Sequence, residues 1–349
     1  MARTATSRAL QTPDAKLHAQ LSDIAANVWW SWNPRARALF EHIDPKTYHA
    51  TDHNPVRVLR KLTAARTRKL AGDREFTHEV NQVHSALRRY LRRKSWYATR
   101  YGRSVKGVTA YFCMEYATHE CLPLYAGGLG VLAGDHLKSA SDLGLPFVAV
   151  GIYWKKGYTR QSIDKQGLQR DAYPTLRPED TPCVEVTTQS GRPLRLKIPM
   201  GKDRVTARAW RMDVGRVPLY LLDTDLPENK PADRKLTHVL YSGDRDTRIR
   251  QEILLGIGGW RLLKALKIKV TCCHLNEGHA AFLSLERIAE RMKEKKETLG
   301  RATRYVTGTS AFTTHTPVPA GNEEFDPALV DRYFAAWPKK LGMTHEDFH

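Results

Sequence analysis

The fold is decided by residues 108–154, VTAYFCMEYATHECLPLYAGGLGVLAGDHLKSASDLGLPFVAVGIYW. Residues 108–116 form a short aromatic and β-branched run, which is typical of a buried strand. Residues 130–143 have a helical composition, and Gly144 fits the position that follows a helix end. Residues 147–154 are a second apolar run of the strand type. This succession of strand, turn, helix and strand predicts a βαβ unit.

The same alternation returns in the second half of the chain. We expect helices over 249–266, 279–295 and 327–336, and strands over 268–275 and 311–314. Alternating strands and helices predict an α/β fold with a mostly parallel, doubly wound sheet. Ligands of such sheets bind at the carboxyl ends of the strands, so the residues that follow the predicted strands are the first candidates for a functional site.

Residues 157–225 lie between these two regions and predict a β-rich insertion. Runs of strand type at 184–188 and 194–198 flank Ser190-Gly191, which is a hairpin signal. A further apolar run covers residues 217–223.

The first 100 residues predict a helical prefix. One apolar stripe at helical spacing joins Leu17, Leu21, Ile24, Val28 and Trp32. A second helix is expected over 83–93, with Val83, Leu87, Tyr90 and Leu91 on its apolar face. The pattern predicts shorter polar helices between these two segments.

Composition restricts the classes of function. The chain has 349 residues, and 56 Lys and Arg against 37 Asp and Glu give a net charge of +19. This excess is compatible with a nucleic acid, an anionic substrate or a solvated basic surface, but we recognise no nucleic-acid-binding module and do not expect that partner.

We find no apolar run near the ~20 residues of a membrane span and no secretory signal, so we expect a cytoplasmic protein without a membrane partner. The five cysteines form no C-x-x-C pair and are expected to be free thiols.

The glycine-rich run Gly127-Gly128-Leu129-Gly130 is the first candidate for a binding site, since it follows a predicted strand and opens a predicted helix. Glycines let a ligand approach the backbone, and the amides at a helix start suit a phosphate or another anion. A tight turn that only packs the helix on the sheet explains the same pattern. The residues leave both interpretations open.

The second candidate is residues 274–279, HLNEGH, which also follow a strand. Asn276, Glu277 and His279 are suited to hydrogen bonds with sugar hydroxyls, whereas helix capping by Asn276 or Glu277 is the structural alternative. Two histidines five residues apart match no spacing of metal ligands, so we assign no metal site. The third strand exit, residues 313–317 (TTHTP), is better explained as a turn whose hydroxyls satisfy backbone groups.

Acidic residues near these motifs have two possible roles. Glu115 lies in an apolar run and needs a partner or a raised pKa, so we expect either a buried ion pair or a catalytic acid. Asp244 and Asp246 precede a predicted helix, which they are expected to cap.

At these motifs the chain resembles the α-glucan (glycogen and maltodextrin) phosphorylases, in particular their shorter bacterial and archaeal branch. The resemblance rests on residues 111–124, 125–145, 274–282 and 312–322. The run NVWWSW at residues 27–32 also resembles the N-terminal region of that branch, and the likeness covers nearly the whole chain from about Leu17.

The resemblance implies a GT-B architecture, in which two Rossmann-like domains face one cleft. Residues 1–100 would then be the helical prefix, and residues 101–349 would be the first Rossmann-like domain with the insertion at 157–225. The implied reaction is phosphorolysis of terminal α-1,4-glucosidic bonds to glucose 1-phosphate. The implied cofactor is pyridoxal phosphate, whose phosphate group relays a proton to the substrate phosphate.

The resemblance also implies roles for individual residues. Gly127 and Gly128 match the glycine loop beside the substrate phosphate and the cofactor, and the backbone of Leu129 matches a contact to the terminal glucose. His279 matches a histidine that contacts this glucose near the scissile bond. Glu115 matches a carboxylate near the site, and we add Asn276 as a substrate-binding candidate.

One departure from the family pattern concerns the cofactor. The family lysine that binds pyridoxal phosphate lies in a Ser-Gly-Thr-Ser-Asn-Met-Lys type motif of the second domain, and this sequence contains no such run. We therefore expect the N-terminal half of a phosphorylase, which alone retains no cofactor and forms no glucose 1-phosphate. Besides α-1,4-glucan and phosphate, the expected partner is a separate C-terminal half or a second copy of the chain.

Two alternatives remain from the sequence. One is a non-catalytic glucan-binding remnant of such an enzyme. The other is a glycogen synthase-like GT-B transferase that uses a nucleotide sugar. Transferases of that type carry their glycine loop close to the N-terminus, whereas here the loop begins at Gly127.

Overall fold

A computed structural model describes residues 12–102, 104, 107–241, 243–315 and 323–349. Helices make up most of residues 12–102. They are α1 (Pro13–Ala25), α2 (Pro34–Ile43), α3 (Pro45–Ala50), α4 (Pro55–Lys61), α5 (Ala64–Gly72), α6 (Arg74–Arg92) and α7 (Trp96–Tyr101), with a 3₁₀ helix at Val28–Trp32. Polar side chains begin several of them, because Asn33, Asn54 and Asp73 each accept a hydrogen bond from the amide three residues on.

The apolar stripe predicted to be continuous from Leu17 to Trp32 is interrupted. Helix α1 ends at Ala25, and the side chain of Asn27 accepts a hydrogen bond from the amide of Trp29 at 2.9 Å, which starts the separate 3₁₀ helix. The same asparagine fastens this region to the sheet, since its amide group exchanges two hydrogen bonds of 2.9 Å with the backbone of Gly215.

The helix expected over 83–93 is longer than predicted and corresponds to α6. Val83 and Leu87 are buried on its inner face, as the spacing predicts. Leu91 is 37% exposed, so its assignment to that face was wrong.

Most of the strands belong to one sheet. Its strands and a separate hairpin are β1 (Val108–Phe112), β2 (Phe147–Ile152), β3 (Arg160–Ile163), β4 (Gln169–Ala172), β5 (Val184–Glu185), β6 (Leu196–Met200), β7 (Asp203–Val214), β8 (Val217–Asp223), β9 (Val270–Asn276) and β10 (Ser310–Thr313). Within the described residues the strand order is β10-β9-β1-β2-β8-β7-β5, β6 pairs with β7, and β3 pairs only with β4. The strands from β10 to β8 are parallel to their neighbours, whereas β5, β6 and β8 pair with β7 in the antiparallel sense. The predicted α/β class with a mostly parallel sheet is confirmed.

The βαβ unit predicted from residues 108–154 is present. Helix α8 (Gly128–Leu143) joins β1 to β2, and these strands pair in parallel with Thr109 opposite Phe147. Gly144 ends the helix with a φ of +66°, as the sequence predicts. Strand β1 is shorter than expected, because the chain turns after Phe112 and the amide of Tyr116 donates to the carbonyl of Leu124 at 2.8 Å.

The β-rich region at 157–225 is continuous with the main sheet. Strand β8 pairs in parallel with β2, with Ala149 opposite Leu219, and β7 continues the sheet from β8. The turn at Ser190-Gly191 exists, with Gly191 at a φ of +78°. The chain on either side of it pairs briefly, since Thr187 and Pro193 form an antiparallel bridge and the amide of Leu194 donates to the carbonyl of Val186 at 2.9 Å, while β5 and β6 themselves pair with β7.

Helices cover the sheet in the second half of the chain. They are α9 (Pro231–Arg234), α10 (Arg245–Ile253), α11 (Gly259–Ala265), α12 (Leu283–Lys295), α13 (Leu299–Gly308), α14 (Pro327–Phe334), α15 (Trp337–Leu341) and α16 (His345–Phe348), with 3₁₀ turns at Pro178–Asp180, Lys235–Thr237 and Gly278–Ala280. The helix expected over 249–266 contains a π-helical turn at Leu254–Gly258. At Gly256 a Cβ atom would lie 2.8 Å from the amide nitrogen of Leu283, so this turn packs backbone against backbone. Helices α9, α13, α15 and α16 were not predicted.

Two predictions about composition can be compared with the structure. All five cysteines are free thiols, as expected. None of the helices in the described ranges has the length and apolar character required to span a bilayer.

Candidate functional site

The candidate site lies where three neighbouring parallel strands, β10, β9 and β1, end. The loop after β1 carries Glu115 and the glycine-rich run, the loop after β9 carries Glu277 and His279, and His315 follows β10. Because the strands are parallel and adjacent, their carboxyl ends bring these loops together. Residues 316 and 317 of the third predicted motif lie outside the described residues.

The glycine loop opens helix α8 and faces open space. A Cβ atom added at Gly127 or at Gly128 would meet no atom within 4 Å. Gly130 is different, because a Cβ atom there would lie 2.5 Å from Cβ of Tyr125 and 2.7 Å from a carboxylate oxygen of Glu115. The two interpretations of the motif thus divide between its glycines: Gly130 permits close packing, whereas Gly127 and Gly128 leave room above the helix start.

The amides of this loop also fall into two groups. Those of Ala126 and Gly127 donate to Oε2 of Glu115 at 2.6 and 3.2 Å. The amides of Gly128 and Leu129 occupy the first two helical positions, where an N–H group has no acceptor in a preceding turn. With the positive end of the helix dipole, these two donors form a place where an anion would be stabilised.

Glu115 is only 3% exposed and is satisfied entirely by hydrogen-bond donors in the described structure. In addition to the two loop amides, the hydroxyl of Tyr241 donates to its Oε1 at 2.6 Å. All three donors to Glu115 are uncharged groups, so the ion pair that the sequence suggested for this residue is not formed. The carboxylate connects the glycine loop to the segment that precedes α10.

Tyr241 was not predicted from the sequence. It is 126 positions from Glu115 along the chain, and no local pattern marks it. Its φ of +57° lies in the left-handed region, which non-glycine residues rarely adopt. The guanidinium of Arg248 lies 4.8 Å from the centre of its ring, and burial and the Glu115 carboxylate raise the pKa of its hydroxyl.

His279 lies beside Tyr241, with 6.0 Å between the ring centres. It belongs to the 3₁₀ turn Gly278–Ala280 and is 8% exposed. Burial, assisted by the charge of Arg248, lowers the pKa of His279 to about 3, so the imidazole is neutral at physiological pH. Its Nδ1 atom is buried and has no hydrogen-bond partner among the described residues. A neutral imidazole with an open nitrogen is suited to a hydrogen bond with a ligand hydroxyl.

Asn276 and Glu277 connect the end of β9 to His315, two residues after β10. The Oδ1 atom of Asn276 lies 2.7 Å from Nε2 of His315, and its Nδ2 group donates to the sulfur of Cys113 at 3.2 Å. The Oε1 atom of Glu277 accepts from the amide of His315 at 2.6 Å. The capping alternative for Asn276 and Glu277 is wrong, because neither side chain caps the turn at 278–280 and α12 begins later, at Leu283.

Glu277 also has an unusual backbone, with a φ of +63°. Tyr241 and Glu277 are thus two non-glycine residues in the left-handed region, one packed beside His279 and the other two positions before it. Such conformations cost of order 1–3 kcal/mol each and persist where the surrounding structure fixes them, which is common at functional sites. The local strain supports the assignment of this region as the site.

Next to Tyr241 lies a group of ionisable side chains, Arg248, Glu252 and Glu323, of which Glu252 is buried and Glu323 is exposed. The Nε atom of Arg248 donates to Glu323 and lies 3.7 Å from Oε1 of Glu252. Burial, together with the neighbouring Glu323, raises the pKa of Glu252 well above its usual range. The Nη1 atom of Arg248 is buried and has no hydrogen-bond partner in the described ranges. The guanidinium therefore has one donor group that no described residue uses.

The two aspartates that precede α10 have different roles. Asp244 caps the helix as predicted, since it accepts from the amide of Thr247 at 2.8 Å. Asp246 instead accepts from Arg332 at 2.8 Å and from the hydroxyl of Tyr333 at 2.6 Å, and so holds α14.

Comparisons with known proteins agree with the fold and add relatives. Residues 15–122 match a family described as "Protein of unknown function (DUF3417)". The chain is 46% identical to a maltodextrin phosphorylase of Thermococcus litoralis over 329 residues, which is 94% of this chain and 39% of that protein. It is 43% identical to a glycogen phosphorylase of Mycobacterium tuberculosis over 326 residues (90% of this chain, 38% of that protein). A glycogen phosphorylase of Aquifex aeolicus is 36% identical over 321 residues (92% of this chain, 45% of that protein). The chain thus spans about two fifths of the length of the relatives it matches.

Proposed function

The chain is a homologue of the N-terminal part of the α-glucan phosphorylases, and we propose that it supplies the wall of the active site that faces the glucan and the phosphate. The observation that carries this proposal is the connection between the glycine loop and His279. Glu115 binds the loop amides and Tyr241, and Tyr241 packs beside His279. An anion-binding helix start and a neutral histidine are thereby held next to each other at the strand ends.

The phosphate side of the proposed site is the start of α8. The amides of Gly128 and Leu129 act as donors to an anionic oxygen, and the absence of side chains at Gly127 and Gly128 admits it. Ala126 and Gly127 keep their amides on Glu115, so their role is to fix the loop. Preorganised backbone donors of this kind need no reorganisation when charge develops during a reaction.

The glucan side is formed around His279. The Nδ1 atom of its neutral imidazole is buried and has no partner among the described residues, and we propose that this atom bonds a hydroxyl of the terminal glucose when the glucan is bound. The backbone of Leu129 is the second proposed contact of that glucose. Asn276 has its side-chain atoms on His315 and Cys113, so we propose that it orients the neighbouring loop instead of bonding the sugar itself.

Pyridoxal phosphate fits the part of its site that lies on this chain. The open space above Gly127 and Gly128 and the donors at the helix start match an anionic group, so these residues would line the cofactor. When bound, the cofactor supplies a phosphate that exchanges a proton with the substrate phosphate. The residues of this chain bind and orient the substrates and exclude water on their side of the cleft.

The proposed reaction is the phosphorolysis of a terminal α-1,4-glucosidic bond to glucose 1-phosphate. It requires a second Rossmann-like domain in the GT-B arrangement, on a continuing or separate polypeptide, and we propose that residues 1–349 alone do not catalyse it. We place this activity in the cytoplasm, where the five free thiols stay reduced. The names of the relatives give no support to a nucleotide-sugar transferase.

A chimaera tests this proposal directly. Residues 1–349 are joined to the part of the Thermococcus litoralis maltodextrin phosphorylase that follows the matched region, and glucose 1-phosphate is measured with maltoheptaose, phosphate and pyridoxal phosphate. We expect the chimaera to form product and residues 1–349 alone to form none. His279→Ala in the chimaera should lower kcat by ~10²-fold or more, the range for loss of one preorganised active-site donor.

A matched control is His18→Ala in the same chimaera, since His18 is an exposed histidine of α1. This variant should keep its full activity. Unchanged activity of the His279 variant would refute the proposed glucan contact. Binding of maltoheptaose to residues 1–349 combined with an inactive chimaera would favour the non-catalytic glucan-binding alternative.

A further inference from the structure

Two histidines and an aspartate meet at the C-terminal helices, outside the strand-end loops. The Nε2 atoms of His345 and His349 lie 2.6 and 2.9 Å from the same atom, Oδ1 of Asp331. One candidate ligand atom from each residue lies within 4.8 Å of the other two. Within the described residues this is the one group of three or more His, Cys, Asp or Glu side chains that meets this condition.

Local structure holds the three side chains on one side. His345 begins α16 and His349 directly follows its last residue, and this spacing of four puts both imidazoles on the same side of the turn. Thr344 and Asp347 form a reciprocal capping box that fixes the start of this turn. Asp331 is on α14, so the cluster joins two separate helices.

Packing and charge favour this arrangement. Phe348 of α16 lies 6.4 Å from Phe334 of α14, measured between ring centres, which anchors the two helices next to the cluster. Arg332, the neighbour of Asp331, is turned toward Asp246 at 2.8 Å. The carboxylate of Asp331 is therefore left to the two imidazoles.

We propose that His345, His349 and Asp331 form a binding site for a divalent transition cation, with Zn²⁺ as the preferred ion. Two imidazole nitrogens and one carboxylate oxygen are a donor set that Zn²⁺ accepts, and three protein ligands leave a fourth position for water. Zn²⁺–ligand bonds of ~2.0–2.1 Å place the ligand atoms of a tetrahedral site ~3.3 Å apart. The distances from Oδ1 of Asp331 to the two Nε2 atoms must therefore widen by about half an ångström when the ion binds. The side chains of His345 and Asp331 are 63% and 40% exposed, which leaves them free to make this adjustment.

The expected consequence is a cross-link between α14 and α16. A cation that binds the folded chain and not the unfolded one raises the melting temperature with its concentration. The proposal is independent of the glucan site, because the cluster is on helices that carry none of the residues proposed to bind glucan or phosphate.

The test is a titration of the purified chain with Zn²⁺ alone at pH 7.5, followed by calorimetry. We expect one tight site per chain and a melting temperature that rises with Zn²⁺. His345→Ala and Asp331→Asn should each weaken binding at least tenfold and remove the rise in melting temperature. Titration with Co²⁺ gives a second readout, since the visible absorption of bound Co²⁺ reports a four-coordinate site and should disappear in both variants.

The matched control is His49→Ala. His49 and His53 are also four residues apart and are joined by a 3.2 Å contact, but Glu41 and Glu120 lie at the outer nitrogens of this pair and no third ligand atom completes a set in the described structure. This variant should bind Zn²⁺ as the unmodified chain does. Absence of tight binding, or loss of the tight site in His49→Ala but not in His345→Ala, would overturn the proposal.

Discussion

The hydroxyl of Tyr241 donates a 2.6 Å hydrogen bond to Oε1 of Glu115. The other oxygen of the same carboxylate accepts from the amides of Ala126 and Gly127. One buried side chain therefore fixes both the glycine loop and the segment beside His279. This relationship couples the proposed phosphate contact to the proposed glucan contact, and it can be tested without knowledge of the reaction.

Tyr241→Phe and Glu115→Gln should not be additive. Each change removes part of the same hydrogen-bonded group, and loss of one partner of a buried hydrogen bond costs about 1–3 kcal/mol. A double-mutant cycle from urea unfolding should give a coupling energy of about 0.5–3 kcal/mol. Tyr158→Phe is the control, because Tyr158 is exposed to a similar extent as Tyr241 (43% against 38%) but does not donate to Glu115, so its substitution should leave stability unchanged. Strict additivity would show that the contact contributes nothing to stability.

Gly128→Ala and Gly134→Ala separate binding from packing within one helix. At Gly128 a Cβ atom meets nothing, so the free energy of unfolding should change by less than about 1 kcal/mol, while the affinity for maltoheptaose or phosphate falls because the methyl group occupies the ligand space. At Gly134 a Cβ atom would lie 2.0 Å from the carbonyl oxygen of Ala117, so Gly134→Ala should strongly lower the melting temperature. Equal affinities of Gly128→Ala and the unmodified chain would argue against a ligand at the loop.

His279 should make stability depend on pH between 5 and 7. In the unfolded chain the His279 imidazole is protonated below its ordinary pKa of 6.5, whereas in the folded chain it is protonated only near pH 3. The free energy of unfolding therefore falls as pH falls. The unmodified chain should therefore lose about 2 kcal/mol more than His279→Gln between pH 7 and pH 5. His18→Gln controls for the loss of an imidazole at an exposed position. Parallel stability profiles for the unmodified chain and His279→Gln would contradict the burial of a neutral imidazole.

Glu252 should act with the opposite sign. Its raised pKa means that the folded chain keeps a proton that the unfolded chain releases above about pH 4.3, so this group stabilises at low pH and the contribution is lost as pH rises. Glu252→Gln should therefore gain stability relative to the unmodified chain as pH rises from 5 to 8, by up to about 1.4 kcal/mol per pH unit. The exposed Glu228→Gln controls for the loss of one charge. A difference that does not change with pH would show that Glu252 is ionised in the folded state.

Much of the fold was predictable because its signals are local. The βαβ unit follows from two short apolar runs and a helix that ends at Gly144, and all three features are present. The errors occur where a distant contact competes with local pattern. Asn27 binds the backbone of Gly215 and divides one expected helix, and Glu277 adopts a left-handed conformation instead of capping a helix.

The chain's own sequence determined which residue types stand after each strand, and therefore that Gly127, Gly128, Asn276 and His279 are the candidates. It could do so because strand, helix and capping preferences depend on neighbours a few positions apart. Only the tertiary structure decided that Tyr241 satisfies Glu115, that Arg248 charges the floor of the site and that His279 stays neutral. These properties depend on burial and on contacts between distant parts of the chain. Glu115 and Tyr241, for example, are 126 positions apart, and a pattern of neighbouring residues does not show that two such residues meet.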